Sequence, residues 1–403
     1  MGFMQMFGLL EQLGQDSKAV DQSRCIQVRN RNCSCMRCAA ACPSGCISRD
    51  ADTGEMLVET SRCIGCGTCA TVCPTGALSM TNPSDSELLR QLAAAAEANG
   101  GMAVIACAQT LKQAQGLYDP DRVVGVPCLG RMEEGLILSL AAMGAESVVL
   151  VHAACGQCTY KSGSTVAHEV VETAVNLLAV WGSAMSVTMQ GKLPGCTRAA
   201  NAEQAPSRPE RERGSYDPAR REFLTASRTR IADVALVASG AQEMDAADEK
   251  SVVSLIKVRP DGNLPHTVPN RRRRTLAALR KLGQPADEMI GTRLWGHVII
   301  DTDVCQSCRM CATFCPTGAL EKFDEDGAFG VCHHPDACSK CRTCETICPA
   351  HAITISDEVF AMDLYEGAEE RYEMRQNDAL PDNPHQMYHA IRSMFHCDQM
   401  YER

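Results

Sequence analysis

Residues 305–320 read CQSCRMCATFCPTGAL, and residues 63–78 read CIGCGTCATVCPTGAL. Each stretch places three cysteines at i, i+3 and i+6. A fourth cysteine follows four residues later, directly before proline. A third copy of the spacing runs Cys338, Cys341, Cys344 and Cys348-Pro349. The near identity of the first two stretches marks an internal repeat of a cysteine module. Working outward, the 25 cysteines of this 403-residue chain form three groups. One runs from Cys25 to Cys73 and one from Cys305 to Cys348. A sparser group lies between them: Cys107, Cys128, Cys155, Cys158 and Cys196.

Three thiolates at this spacing wrap one face of an iron–sulfur cubane. The fourth, followed by proline, ligates the other cluster of a pair. The crossed assignment gives Cys305, Cys308, Cys311 and Cys348 to one [4Fe–4S] cluster. Cys338, Cys341, Cys344 and Cys315 take the second. A zinc ribbon spaces its C-x2-C pairs by roughly 12–20 residues, a different arithmetic. The stretch resembles two-cluster bacterial ferredoxins, and the resemblance implies the small βαββαβ ferredoxin fold.

In the N-terminal module Cys63, Cys66, Cys69 and Cys73-Pro74 keep the order, but the first half departs from it. Cys35, Cys38 and Cys42-Pro43 fit, while Asn32 occupies the first ligand position. Cys33 and Cys25 are the two substitutes. Cys33 and Cys35 flank one residue, which strains joint ligation of one cubane. The segment CIQVRNRNCSCMRCAAACP resembles a ferredoxin-like variant in which a cysteine upstream of V-R-x-R supplies the ligand, and this favours Cys25. The expected sets are then Cys25, Cys35, Cys38 and Cys73, and Cys63, Cys66, Cys69 and Cys42. Cys33, Cys46, Cys332 and Cys397 remain and are read as small apolar packing residues. Cys332, beside His333-His334, is the one of these to check for an unusual ligand.

The middle of the chain has another texture. Ser84 to Glu87 is a capping box opening the helix ELLRQLAAAAEA, which Asn99-Gly100-Gly101 closes. The β-branched runs MAVIAC, RVVGVPC, SVVLVHAAC and MSVTMQ then alternate with helical patterns, which argues a parallel α/β sheet. The first three strands end at Cys107, Cys128 and Cys155, and the fourth leads to Cys196. In an open parallel sheet these ends share the rim where ligands bind. The four, with Cys158, are expected to converge in one crevice.

The stretch from Val126 to Tyr160 also resembles the delta subunit of methyl-viologen-reducing hydrogenase. The likeness rests on Cys128-x-Gly130-Arg131, Gly144-Ala145 and Cys158-Thr159-Tyr160. It implies a [2Fe–2S] cluster and electron transfer to a flavin subunit of heterodisulfide-reductase type. Ala153 stands where the family has the first of its paired cysteines, and Cys155 is the replacement. The expected ligands are Cys107, Cys128, Cys155 and Cys158. A redox-active Cys155-x2-Cys158 dithiol is the main alternative, with buried structural cysteines as the bland one.

The overall expectation is an α+β and α/β multidomain chain, with two ferredoxin-like βαββαβ dicluster domains around a central parallel α/β domain. The boundaries are an N-terminal helix at 1–20, a ferredoxin-like domain at 21–82 and the central cluster domain at 83–197. A linker at 198–230 and a strand and basic-helix connector at 231–296 lead to the second ferredoxin-like domain at 297–357, with a tail at 358–403. The basic run Arg271–Arg274 either docks an acidic partner or is the solvated start of a helix. His152, near the rim, reads as an ordinary core or loop histidine.

Lys+Arg 39 against Asp+Glu 49 gives a net charge of −10, which speaks against nucleic-acid binding. No apolar run is long enough for a membrane span, and the start lacks a signal peptide's basic region. A cytoplasmic location follows, where thiols serve metals rather than disulfides. There is no Walker A loop, no G-x-G-x-x-G after a strand and no evident substrate constellation. The expected role is electron relay in an anaerobic hetero-oligomeric oxidoreductase. Four [4Fe–4S] clusters and one [2Fe–2S] cluster would link a flavoprotein to a catalytic dehydrogenase, hydrogenase or reductase. The alternative is a thiol/disulfide reductase acting through Cys155 and Cys158.

Overall fold

The computed structural model describes residues 18–30, 33–51, 54–114, 117–199, 256–257, 259, 262–286, 288–325, 327–375 and 401–402. All belong to one compact unit, residues 1–202 with 254–403. Residues 1–17 of the expected N-terminal helix, the linker from residue 200 onward, the strand read at 231–238, Asn32, Cys397 and residues 376–400 of the tail lie outside the described residues. One correction falls at the edge of the first of these. Lys18–Val20, assigned to the helix, is a strand, because it pairs antiparallel with Leu78–Met80.

The N-terminal elements are β1 (Lys18–Val20), α1 (Ile26–Arg29), α2 (Arg37–Ala41), β2 (Ile47–Arg49), β3 (Met56–Val58), α3 (Thr68–Val72) and β4 (Leu78–Met80). β1 pairs with β4, and β2 with β3 as an inner hairpin, both antiparallel. α2 and α3 are about one turn long because each runs into a cysteine that precedes proline, Cys42-Pro43 and Cys73-Pro74, and the X-Pro step ends it.

The middle elements are α4 (Asp85–Ala98), β5 (Met102–Cys107), α5 (Ala108–Gln113), β6 (Val124–Val126), α6 (Glu134–Ala142), β7 (Ser147–Val151), α7 (Lys161–Val180) and β8 (Ser186–Gln190). The Ser84 hydroxyl accepts from the Glu87 amide, and Asn99 caps the far end of α4, as the sequence implied. The strands form a parallel sheet in the order β6-β5-β7-β8. In β5, Ala103 and Ile105 face the large core with Leu88, Leu92, Leu138 and Leu177. Val104 and Ala106 face a smaller cluster with Val149 and Val151. Burial on both faces explains the unbroken apolar strand. Cys107 lies opposite Val126, and Ala106 opposite Val151, so three strands end at one level.

Next come β9 (Ile256–Lys257), α8 (Asn270–Leu282), β10 (Met289–Gly291), β11 (His297–Ile300), α9 (Met310–Phe314), β12 (Leu320–Glu325), β13 (Ala328–His333), α10 (Thr343–Ile347) and β14 (Ile353–Ser356). The last elements are β15 (Glu358–Phe360), α11 (Ala361–Glu366), β16 (Glu370–Glu373) and β17 (Tyr401–Glu402). From β11 to β14 the element order repeats that of the N-terminal module without a counterpart of α1, with β11 pairing β14 around the β12–β13 hairpin. Residues 358–373 are integral here: β15 pairs with β10, and β16 extends the hairpin along β13.

The basic run opens α8, as one of its two readings had it, but most of it is not solvated. Arg271 donates to the carbonyls of Ala70, Thr71 and Cys73, at the carboxyl end of α3. Those carbonyls lack helical partners and favour a cation. Arg272 is buried, 4.7 Å above the Trp295 ring, and donates to the Leu294 carbonyl. Arg274 pairs with Glu133 and, at 2.8 Å, with Asp85, which also binds Arg131 at 2.6 Å. Arg273 keeps to the surface. The correction has a physical cause: α8 packs on α6, so three arginines meet buried acceptors. Arg274→Ala should lower stability by about 3 kcal/mol, because Glu133 would stay buried with its charge uncompensated. Thermal unfolding followed by circular dichroism checks this, with Arg273→Ala as the near-neutral control.

Candidate metal centres

The three loops with unbroken C-x2-C-x2-C spacing share one backbone geometry. In the C-terminal module Ser307 (φ 60) and Arg309 (φ 51) are left-handed, as are Lys340 (φ 50) and Arg342 (φ 62). Gly65 (φ 69) and Gly67 (φ 77) hold the equivalent places after Cys63 and Cys66. Each pair sits just before and just after the second cysteine. Left-handed backbone costs a non-glycine residue of order 1–3 kcal/mol, so it persists where the surroundings fix it, commonly at ligand sites. It turns successive amides into a concavity facing the sulfurs. The Ser307 amide lies 3.4 Å from Cys305 Sγ, and the amides of Met310, Lys340 and Thr343 hydrogen-bond Cys308, Cys338 and Cys341.

The neighbours of the buried thiols follow three of the four expected crossed sets. Burial raises the Cys308 thiol, and its neighbours Cys305 and Cys348 raise it further. Cys311 is raised by burial and by Cys308, Cys305 and Cys348. Burial, with Cys341 and Cys315, pushes Cys338 up to about 12. Cys344 is raised by burial, then by Cys341, Cys338 and Cys315. In the N-terminal module burial, with Cys73 and Cys35 adding, pushes Cys25 up to about 11. Cys38, pushed up to about 12, is buried and has Cys73, Cys25 and Cys35 as neighbours. Cys33 is buried beside Cys35 and Cys25, but after burial itself the strongest influences on its thiol are Cys341 and the Thr343 hydroxyl. Cys69 lies in the module's apolar cluster, with Cys42 and Cys63 packed against it. Cys46 is buried with its Sγ 3.5 Å from Cys42 Sγ.

In the middle region Cys107, Cys128, Cys155 and Cys158 line a cavity of about 360 Å³ with His152, Lys112 and Tyr160. Burial pushes Cys128 up to about 11, with Cys66, Cys107 and Cys155 as neighbouring thiols. The Tyr160 amide lies 3.4 Å from Cys158 Sγ. His152 is held in its loop by a 2.7 Å contact from Nδ1 to the Ala153 carbonyl. Cys196 is the correction. It is exposed, and its Sγ lies 3.8 Å from Met102 Sδ, where β5 begins. After β8 the chain doubles back, and Leu193 packs with Val104 and Tyr118 on the second face of the sheet. That return carries Cys196 to the opposite rim.

Buried thiols raised by burial and by one another hold their protons until a metal displaces them. Several such thiols facing one point, with backbone amides aimed at the sulfurs, suit iron–sulfur clusters. The residues present therefore fit the groups that the motifs imply.

The modules meet through very small side chains. A Cβ on Gly163 would lie 2.4 Å from Cys128 Sγ, and one on Gly130 would lie 2.4 Å from Thr68 Oγ1. A Cβ on Gly67 would lie 2.4 Å from Arg131 Cδ. Glycine at these points lets the Cys66 loop press against Cys128. On the other side Arg37 donates to the Lys340 carbonyl at 3.2 Å, close to where Cys33 meets Cys341.

Comparison with known protein families agrees with this layout. Residues 56–79 match the 4Fe-4S binding domain, residues 300–352 the 4Fe-4S dicluster domain, and residues 103–189 the delta subunit of methyl-viologen-reducing hydrogenase. No curated protein matches the chain, and no solved structure does. The first match covers Cys63, Cys66, Cys69 and Cys73, and the second all eight cysteines from Cys305 to Cys348 that carry the motif. The chain thus carries iron–sulfur binding regions on both sides of a region similar to a hydrogenase delta subunit. Among the described residues no helix is long and apolar enough to cross a membrane.

Proposed function

We propose that this chain is the electron-relay subunit of an anaerobic, cytoplasmic oxidoreductase complex. Two ferredoxin-like dicluster domains, the first extended to include β1 and the second to include β16, would hold four [4Fe–4S] clusters. The central domain at 83–197 would hold one [2Fe–2S] cluster on Cys107, Cys128, Cys155 and Cys158. A flavoprotein of heterodisulfide-reductase type is the proposed partner at one end, and a catalytic dehydrogenase, hydrogenase or reductase at the other. Clusters bound at these thiols supply one-electron carriers, with potentials tuned by burial and by hydrogen bonds to sulfur.

The observation that carries the reading is the continuity of the five thiol sets. Cys128 of the central set neighbours Cys66 of the next. That set shares α2, α3 and their flanks with Cys25, Cys35, Cys38 and Cys73. Cys33, beside Cys25 and Cys35, faces Cys341 in the C-terminal module. Cys344 in turn neighbours Cys311. The order from one end to the other is therefore central, second N-terminal, first N-terminal, second C-terminal, first C-terminal. The polypeptide would fix these positions and direct amides at the sulfurs.

Anaerobic alkylation of the native protein, mapped by peptide mass, separates this from thiol/disulfide reduction. In the relay, Cys107, Cys128, Cys155 and Cys158 resist alkylation together and become reactive together once iron is chelated. Alkylation of Cys155 and Cys158 with the iron retained would favour the reductase.

A further inference from the structure

In the C-terminal module a second kind of donor set lies apart from the thiols. His333 ends β13 and stands directly opposite Glu370 of β16 in the strand register. His297 opens β11 in the neighbouring sheet. One donor atom from each of the three lies within 4.8 Å of the others. His297 Nε2 is 3.0 Å from Glu370 Oε2, and His333 Nδ1 is 4.0 Å from the same oxygen. The two imidazoles meet edge to face, with centroids 5.6 Å apart. The Tyr372 hydroxyl donates to the Val298 carbonyl at 2.7 Å and ties β16 to β11.

His333 is the telling residue. It is 0% exposed, and neither ring nitrogen has a hydrogen-bond partner. Leaving a buried polar group unsatisfied costs about 1–3 kcal/mol. The neighbouring thiol does not relieve it: alternation along β13 sends Cys332 to the other face, where it donates to Glu369 at 3.2 Å. Cys332, singled out by its place in the sequence, is thus outside the set, and its histidine neighbour is inside.

We propose that His297, His333 and Glu370 bind one divalent transition-metal ion of the zinc class, independent of the iron–sulfur clusters. Two imidazole nitrogens and a carboxylate oxygen are an established ligand set for zinc, leaving a fourth position for water. Bonds of about 2.1 Å in a tetrahedral site put ligand atoms about 3.4 Å apart. The observed 3.0 and 4.0 Å separations lie on either side of that value. The ion enters from solvent past His297 and Glu370, whose side chains are 26% and 42% exposed. Once bound, it pins β11 and β13, the strands that lead into the Cys305 and Cys338 loops.

The test uses the full chain, purified anaerobically with its iron in place and stripped of loosely held metal. Titration with zinc alone, followed calorimetrically, should show one equivalent bound. X-ray absorption at the zinc edge should show nitrogen and oxygen near about 2.0–2.1 Å and no sulfur near about 2.3 Å. His297→Ala should weaken binding by at least the roughly 100-fold that even outer partners of a metal ligand can command. His333→Ala tests the buried ligand. Glu370→Gln and His297→Ala, at partly exposed positions, keep the test valid if His333→Ala fails to fold, and an unchanged iron–sulfur spectrum confirms their folding. Failure to take up zinc, a sulfur shell around it, or equal affinity in His297→Ala would overturn the proposal.

Discussion

Gly163→Ala is expected to abolish the central iron–sulfur signal while leaving the four cubanes in place. Gly163 lies in the first turn of α7, where alanine ordinarily favours a helix by about 1 kcal/mol. Here the added Cβ would sit 2.4 Å from Cys128 Sγ and 3.3 Å from Thr68 Oγ1. A free thiol could rotate away, but one bonded to iron is fixed, so the cluster or the helix must yield. Overpacking at such a site costs about 1–3 kcal/mol, opposite in sign to the propensity gain. Gly156 supplies the control. It lies between Cys155 and Cys158, yet a Cβ there meets nothing within 4 Å, so Gly156→Ala should keep the signal. Mössbauer spectra of the two variants decide the matter. Equal spectra would show that Cys128 is not held as described.

Cys25→Ser is expected to remove one whole cubane, about four irons, whereas Cys33→Ser removes none. The two thiols are eight residues apart in the chain and point to different neighbours. Cys25 is grouped with Cys35 and Cys73, and its sulfur accepts from the amides of Val28 and Gln27. Cys33 is 4% exposed and turns toward Cys341 and Thr343. Its replacement should affect packing between the modules rather than iron content. Iron analysis of the anaerobic variants measures both effects, and the reverse outcome would transfer the ligand to Cys33.

Much of this was legible in residue spacing. The C-x2-C-x2-C-x3-C-P arithmetic is local, and a short loop leaves the thiols little choice of direction. The Ser84 cap and the β-branched strands are local signals as well. What stayed hidden depends on long-range packing. Nothing in RRRR says that Arg271 caps α3 or that Arg274 meets Glu133, since those acceptors lie far away in the chain. Cys196 reads as a strand-end cysteine because the doubling back after β8 has no local signature. The glycines at 130 and 163 become meaningful only once Thr68 and Cys128 lie against them. His297, His333 and Glu370 lack motif spacing, for strand pairing across two sheets brings them together.

The most direct measurement is an iron count with Mössbauer spectra on protein purified without air. About eighteen irons per chain are expected, sixteen with cubane parameters and two in a binuclear centre. Colourless protein, or protein with zinc at the cysteines in place of iron, would contradict the account.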